Sequence, residues 1–192
     1  MGFFDVFNKP VNYGNDYQKQ KLKETADAVK QYCDPDAASR LKDTELVFDN
    51  NLPKNFNGGK VVGKNIIKFA ESFTEKSLKD RGRTLCHELS HSDYEKKRNN
   101  NPYDFGSKED ELQAISKGAS FEQKYGEAQG ESLNVPSKEK IMDFLNKSVA
   151  YKCLPEKAPI TKEEYDKAQA GYGVCIAGIN QNNSIFKAEA SN

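Results

Sequence analysis

The chain has no apolar run long enough to cross a bilayer, no excess of either charge, no internal repeat, no low-complexity block and no CxxC pair. Each absence removes a class of protein. A membrane helix needs about 20 consecutive apolar residues, whereas here apolar residues make up 36% and charged residues 30%, so no membrane span is expected. Lys plus Arg and Asp plus Glu stand at 29 each, which removes the electrostatic footprint of a non-specific nucleic-acid binder. Met1-Gly2-Phe3-Phe4-Asp5-Val6 lacks a basic segment followed by an apolar one, and Val6 stands where a myristoylation signal calls for Ser or Thr. The expectation is a cytoplasmic chain, or one exported without a visible signal peptide or already processed. Cys33, Cys86, Cys153 and Cys175 are expected as reduced, buried thiols. Cys153 and Cys175 flank one C-terminal segment, and whether they pair is left open.

What is present fits one globular domain, since 192 residues are enough to bury a core. Leu22, Ala26, Val29 and Cys33 recur at helical spacing from Asp16 onward, and Asp34-Pro35 ends that helix. Thr44 to Phe48 reads as a strand. The Asn- and Gly-rich stretch from Asp49 to Gly59 reads as a loop, and Val61 to Phe69 as two short strands or one strand bent at Gly63. Helical signal resumes from Ser77 to Arg98. After a loop, Ser107-x-x-Asp110 opens a helix that runs to Gly126. A helix after Ser137 carries Ile141, Phe144 and Leu145. Another is opened by Thr161-Lys162-Glu163-Glu164 and stopped by Gly171 and Gly173, with Val174 to Ile179 as a strand beyond it. This order predicts an α+β fold: an irregular arm over 1–15, a main domain over 16–130, a helical extension over 131–180 packed on it, and a loose tail over 181–192.

The chemistry is concentrated in Thr84-Leu85-Cys86-His87-Glu88-Leu89-Ser90-His91, an HExxH pattern that holds both histidines of the chain. On a helix, residues four apart are separated by about 6 Å along the axis and about 40° around it, so both imidazoles reach one ion. Glu88 then stands beside the metal without binding it. Leu78, Gly82, Leu85 and Leu89 form a stripe on the opposite side, so the helix packs by its leucines and offers its histidines to a cleft. Cys86 is turned about 100° from His87 and reads as a small buried thiol, not a ligand.

Catalytic zinc takes three protein ligands and keeps one position for water. With no histidine left, the third must be a carboxylate or a cysteine. The helix over 108–126 puts Leu112, Ala114, Ile115, Gly118, Ala119, Phe121 and Tyr125 on one face, with Glu111 and Glu122 near its centre. A carboxylate in an apolar stripe calls for a cation or donors. Glu111, in the first turn after the returning loop, is the better ligand. Glu122 fits an ion pair or a supporting role, and Glu109 points to the polar side.

His87-Glu88-Leu89-Ser90-His91 with Glu111 after nineteen intervening residues resembles the gluzincin clan of metallopeptidases, with the spacing of thermolysin-like enzymes. The Gly-containing strand Val61 to Phe69 before the helix resembles the substrate-binding edge strand of compact minigluzincins. The resemblance covers residues 60–126 and is one of clan: the further histidine of thermolysin-like enzymes has no counterpart, and Ile115 stands where they carry an acidic residue. It implies a zincin-like domain with a short, few-stranded sheet packed on an active-site helix, Zn2+ held by His87, His91 and Glu111, Glu88 as general base, and a peptide or protein substrate. Tyr103 is the candidate oxyanion donor, with Tyr94 and Tyr125 behind it. The competing expectations are a catalytically silent zinc-binding protein, such as a virion or effector component, and a metal hydrolase acting on a non-peptide bond.

Overall fold

The computed structural model describes residues 14–49, 52, 57–61, 65–97 and 106–189, without the side chains of 92–97 and 176–189. Among the described residues, six helices and a small mixed sheet make an α+β fold that is mostly helical. The chain divides into two compact units, residues 1–97 with 113–136 and residues 98–112 with 137–192.

In the first unit, Asn15 opens α1 (Asp16–Tyr32) with a capping box. Its side chain accepts from the Gln18 amide and the Gln18 side chain accepts from the Asn15 amide, each at 2.9 Å. Leu22, Ala26 and Val29 are buried along one stripe, as their spacing predicts. Asp34-Pro35 does end α1, but it also starts α2 (Pro35–Ser39), with Asp34 as N-cap and proline at the first helical position. A 3-10 turn over Arg40–Lys42 leads into β1 (Glu45–Phe48).

The sheet corrects the expected edge strand. β3 (Ile66–Phe69) is central, parallel to β1 from Glu45↔Ile66 to Phe48↔Phe69 and antiparallel to β2 (Gly58–Lys60). The stretch expected to form the edge strand is therefore inside the sheet. The edge strand beside the next helix is β2, drawn from residues that read as loop. Gly58 has poor strand propensity, but a Cβ there would lie 2.8 Å from Phe69 Cδ1, so ring packing demands glycine. Residues 62–64, with the expected bend at Gly63, lie outside the described residues.

After a 3-10 turn over Glu71–Glu75 comes α3 (Leu78–Lys97), close to its expected bounds. Leu85, Cys86 and Leu89 are fully buried with Leu22, Val29, Ile67, Phe69 and Phe73. α4 (Lys108–Ala128) brings Phe121 against Gly82, where any side chain on the glycine would overlap the ring. The reduced state expected of Cys33 and Cys86 is overturned: they form a disulfide that ties the end of α1 to α3. Their Cα atoms are 6.3 Å apart, within bridging range, although 53 residues separate them in sequence.

The second unit holds the first turn of α4, α5 (Lys138–Lys147) and α6 (Lys162–Glu189). Ser137 caps α5, which buries Ile141 and Leu145. Thr161 and Glu164 make the reciprocal box expected of them, each amide donating to the other's side chain at 3.2 Å. α6 does not stop at Gly171 and Gly173, and residues 174–179 are helix, not strand. Interior glycine costs a helix about 1 kcal/mol relative to alanine, too little to end one of this length. Residues 181–189, expected as a loose tail, continue the same helix. Cys175 on α6 pairs with Cys153, which settles that open question in favour of the disulfide. No helix among the described residues is long and apolar enough to cross a membrane.

Candidate metal centre

α3 presents His87 and His91 from successive turns, and their Nε2 atoms lie 3.1 Å apart with the rings edge-on at 86°. Two nitrogens bound at about 2.05 Å to one tetrahedral ion would be about 3.3 Å apart, so the pair needs little adjustment to share a metal. The remaining face of α3 explains why the imidazoles, half-buried, stay outside the leucine core. Leu85 and Leu89 are sunk in the core and Cys86 is bonded to Cys33, so the helix cannot rotate its histidines inward.

His87 also donates to the backbone carbonyl of Ala114 on α4. With Nε2 turned to His91, the donor is Nδ1, which leaves the lone pair on Nε2, the form that binds metal. Burial, the neighbouring His91 and Arg83 push the His87 imidazole down to about 3 against the hydrogen bond to Ala114, so the ring is neutral at physiological pH. Gly118 lets α4 approach: a Cβ at this position would lie 3.0 Å from the Arg83 carbonyl and 3.6 Å from His87 Cβ.

Glu88 is buried despite its charge. Its Oε2 accepts the Lys60 amide of β2 at 2.9 Å, while Oε1 lies 3.9 Å from His87 Nε2. One oxygen is thus anchored on the sheet and the other is directed to the imidazole pair. Among the described residues, His87, Glu88 and His91 are the side chains whose ligand atoms gather closely enough to hold a metal, all within 4.8 Å of one another. The donor set fits a borderline metal such as zinc without singling it out.

Glu111 stands half-buried in the first turn of α4, in the second unit, its amide bonded to the Ser107 carbonyl at 3.1 Å. Glu109 is exposed. Glu122 pairs with Arg83 at 3.3 Å, the ion-pair role expected of it. Tyr103 lies outside the described residues, as does the side chain of Tyr94. Tyr125 stacks on Phe121 and meets Tyr32 edge-on, so it is a packing residue. Cys86 is buried but is not a thiol.

Two groups at the site escaped the sequence: the Ala114 carbonyl and the Lys60 amide. Both belong to the backbone, which every residue carries. A third, Arg40, is buried and donates from Nη1 to the Leu89 carbonyl at 2.7 Å, between the two histidines along α3. No local pattern marks it. No protein-family model, no curated protein and no solved structure matches this chain.

Proposed function

We propose that this protein is a zinc-dependent metallopeptidase with a zincin-like site. The reading rests on one observation above others: a buried carboxylate with one oxygen held by a strand amide and the other 3.9 Å from one of two imidazoles poised as a pair. A purely structural zinc site normally closes with four protein ligands and has no use for such a carboxylate.

His87 and His91 supply two ligands. For the third we propose Glu111, as the resemblance to the gluzincin clan implies. When bound, zinc supplies Lewis acidity, lowering the pKa of water towards neutrality and polarising a carbonyl. Glu88 takes the proton of the attacking water at Oε1 and passes it to the leaving amine, while the Lys60 amide keeps Oε2 in place through both transfers. His87 stays neutral because burial, His91 and Arg83 disfavour its charged form, and the Ala114 carbonyl fixes which nitrogen keeps the proton. Tyr103 is proposed to steady the oxyanion.

A second reading is supported by the same hydrogen bond. The carboxylate of Glu88 ties α3 to β2, which is also what a silent zinc-bearing scaffold would need. Glu88→Gln separates the two, because glutamine can still accept from the Lys60 amide but cannot act as a base. The variant should keep its fold and its zinc while zinc-dependent cleavage of a peptide library falls by a factor of about 10² or more. If the unaltered protein cleaves nothing in the library and Glu88→Gln is equivalent to it in every assay, the peptidase reading is lost and the scaffold reading replaces it.

A further inference from the structure

Along α3 the chain carries a row of basic side chains, Lys79, Arg83, His87 and His91, each about one turn from the next. The two cations that precede the histidines are held very differently. Lys79 Nζ lies 2.7 Å from Glu131 Oε2, and its side chain is 27% exposed. Arg83, the nearer to the imidazole pair, keeps 51% of its side chain exposed, and among the described residues the carboxylate it meets is that of Glu122, with Nη1 at 3.3 Å. A guanidinium offers five donors in a planar fork that suits a carboxylate taken by two nitrogens at once, and Glu122 engages one of them. An exposed pair of this length contributes little, so exchanging Glu122 for another carboxylate costs little.

α4 fixes where Arg83 stands relative to the imidazoles. Gly118 faces both residues: a Cβ there would lie 3.2 Å from Arg83 Cγ and 3.6 Å from His87 Cβ, so the arginine stem and the imidazole share one seat. The charge of Arg83 is near enough to help lower the basicity of His87. All of these residues belong to the first unit. One helical turn spans about 5.4 Å, and successive Cα atoms of a bound peptide are about 3.8 Å apart. With the scissile carbonyl at the imidazole pair, a carboxylate on the adjoining residue therefore falls within the span of that turn.

We propose that Arg83 is a specificity-determining residue, binding a substrate carboxylate beside the scissile bond in exchange for Glu122. This rests on the reading of the site as a metallopeptidase. The carboxylate belongs either to an acidic side chain next to the cleaved bond or to a free C-terminus there, and the recognition chemistry is the same for both.

The test uses the full chain, with zinc in excess, on matched pairs drawn from the peptides it cleaves. One arm exchanges Glu for Gln at each position flanking the cleaved bond, and the other compares a free C-terminus with its amide. In the arm that holds the true source, the carboxylate form should show a KM about tenfold lower. Arg83→Gln should abolish that preference, whereas Arg83→Lys, a point charge without the fork, should keep part of it. Glu122→Gln should raise the preference a few-fold by releasing the guanidinium, a gain that a merely structural ion pair would not produce. If peptides are cleaved with no preference in either arm, or the preference survives Arg83→Gln, the role of Arg83 is overturned and the metallopeptidase reading stands. If no peptide is cleaved, that reading falls and the role of Arg83 falls with it.

Discussion

His87 shows how much of a residue's chemistry is set by its neighbours. As a sequence letter it is an imidazole that titrates near 6.5; in the fold, burial and the adjacent His91 push it down to about 3. Unfolding below pH 6.5 therefore takes up a proton at this position. The stabilisation is fully present above about 6.5 and is lost as the pH falls through the folded value. Asp34, held below the ordinary carboxylate range by Lys117, titrates lower still than an unpaired aspartate, so its contribution falls below the interval from pH 6.5 to about 4.5. Metal-free protein should lose denaturant resistance steadily across that interval, and His87→Gln should flatten the dependence. A flat profile in the unaltered protein would mean that His87 is not buried as a neutral base. The residue type and its partner four places on are written in the sequence, but the Ala114 carbonyl that selects its tautomer is not.

Among the elements, α1, α3, α4 and α5 were legible because their signals are local: apolar residues at helical spacing on α1, α3 and α5, and the Ser107-x-x-Asp110 start of α4. The short pieces were not. Asp34-Pro35 serves equally as the stop of one helix and the start of the next, and β2 is built around glycines whose strand character comes only from pairing with β3. The α3–α4 contact was legible only as a small residue in an apolar stripe. Gly82 proves to be the seat of the Phe121 ring. Gly82→Ala would favour the helix by about 1 kcal/mol in isolation, yet it drives a methyl group into that ring, and overpacking of this kind costs about 1–3 kcal/mol or more. The second effect should win, giving a lower melting temperature by circular dichroism. An unchanged or raised value would show that Phe121 can move aside.

For the molecule as a whole, the largest departure from the expected picture is covalent. Two buried thiols became a bridge between residues 33 and 86, and a second bridge joins 153 and 175. In the chain-entropy account, closing loops of 53 and 22 residues stabilises by at most about 4 and about 3 kcal/mol. Cys33→Ser should accordingly lower the stability of its unit by more than Cys153→Ser lowers that of its own, each followed by urea unfolding without reductant. Equal, negligible losses would show that neither bridge forms. By itself the sequence determined most of the helices and the residues of the candidate metal cluster, because caps, apolar spacing and the HExxH pattern act over one or two turns of chain. The tertiary structure alone decided which strand lies at the edge, which cysteines pair, and how Glu88 and His87 are held. Those outcomes depend on contacts between residues far apart in the chain, several of them through backbone amides and carbonyls that leave no mark on the order of side chains.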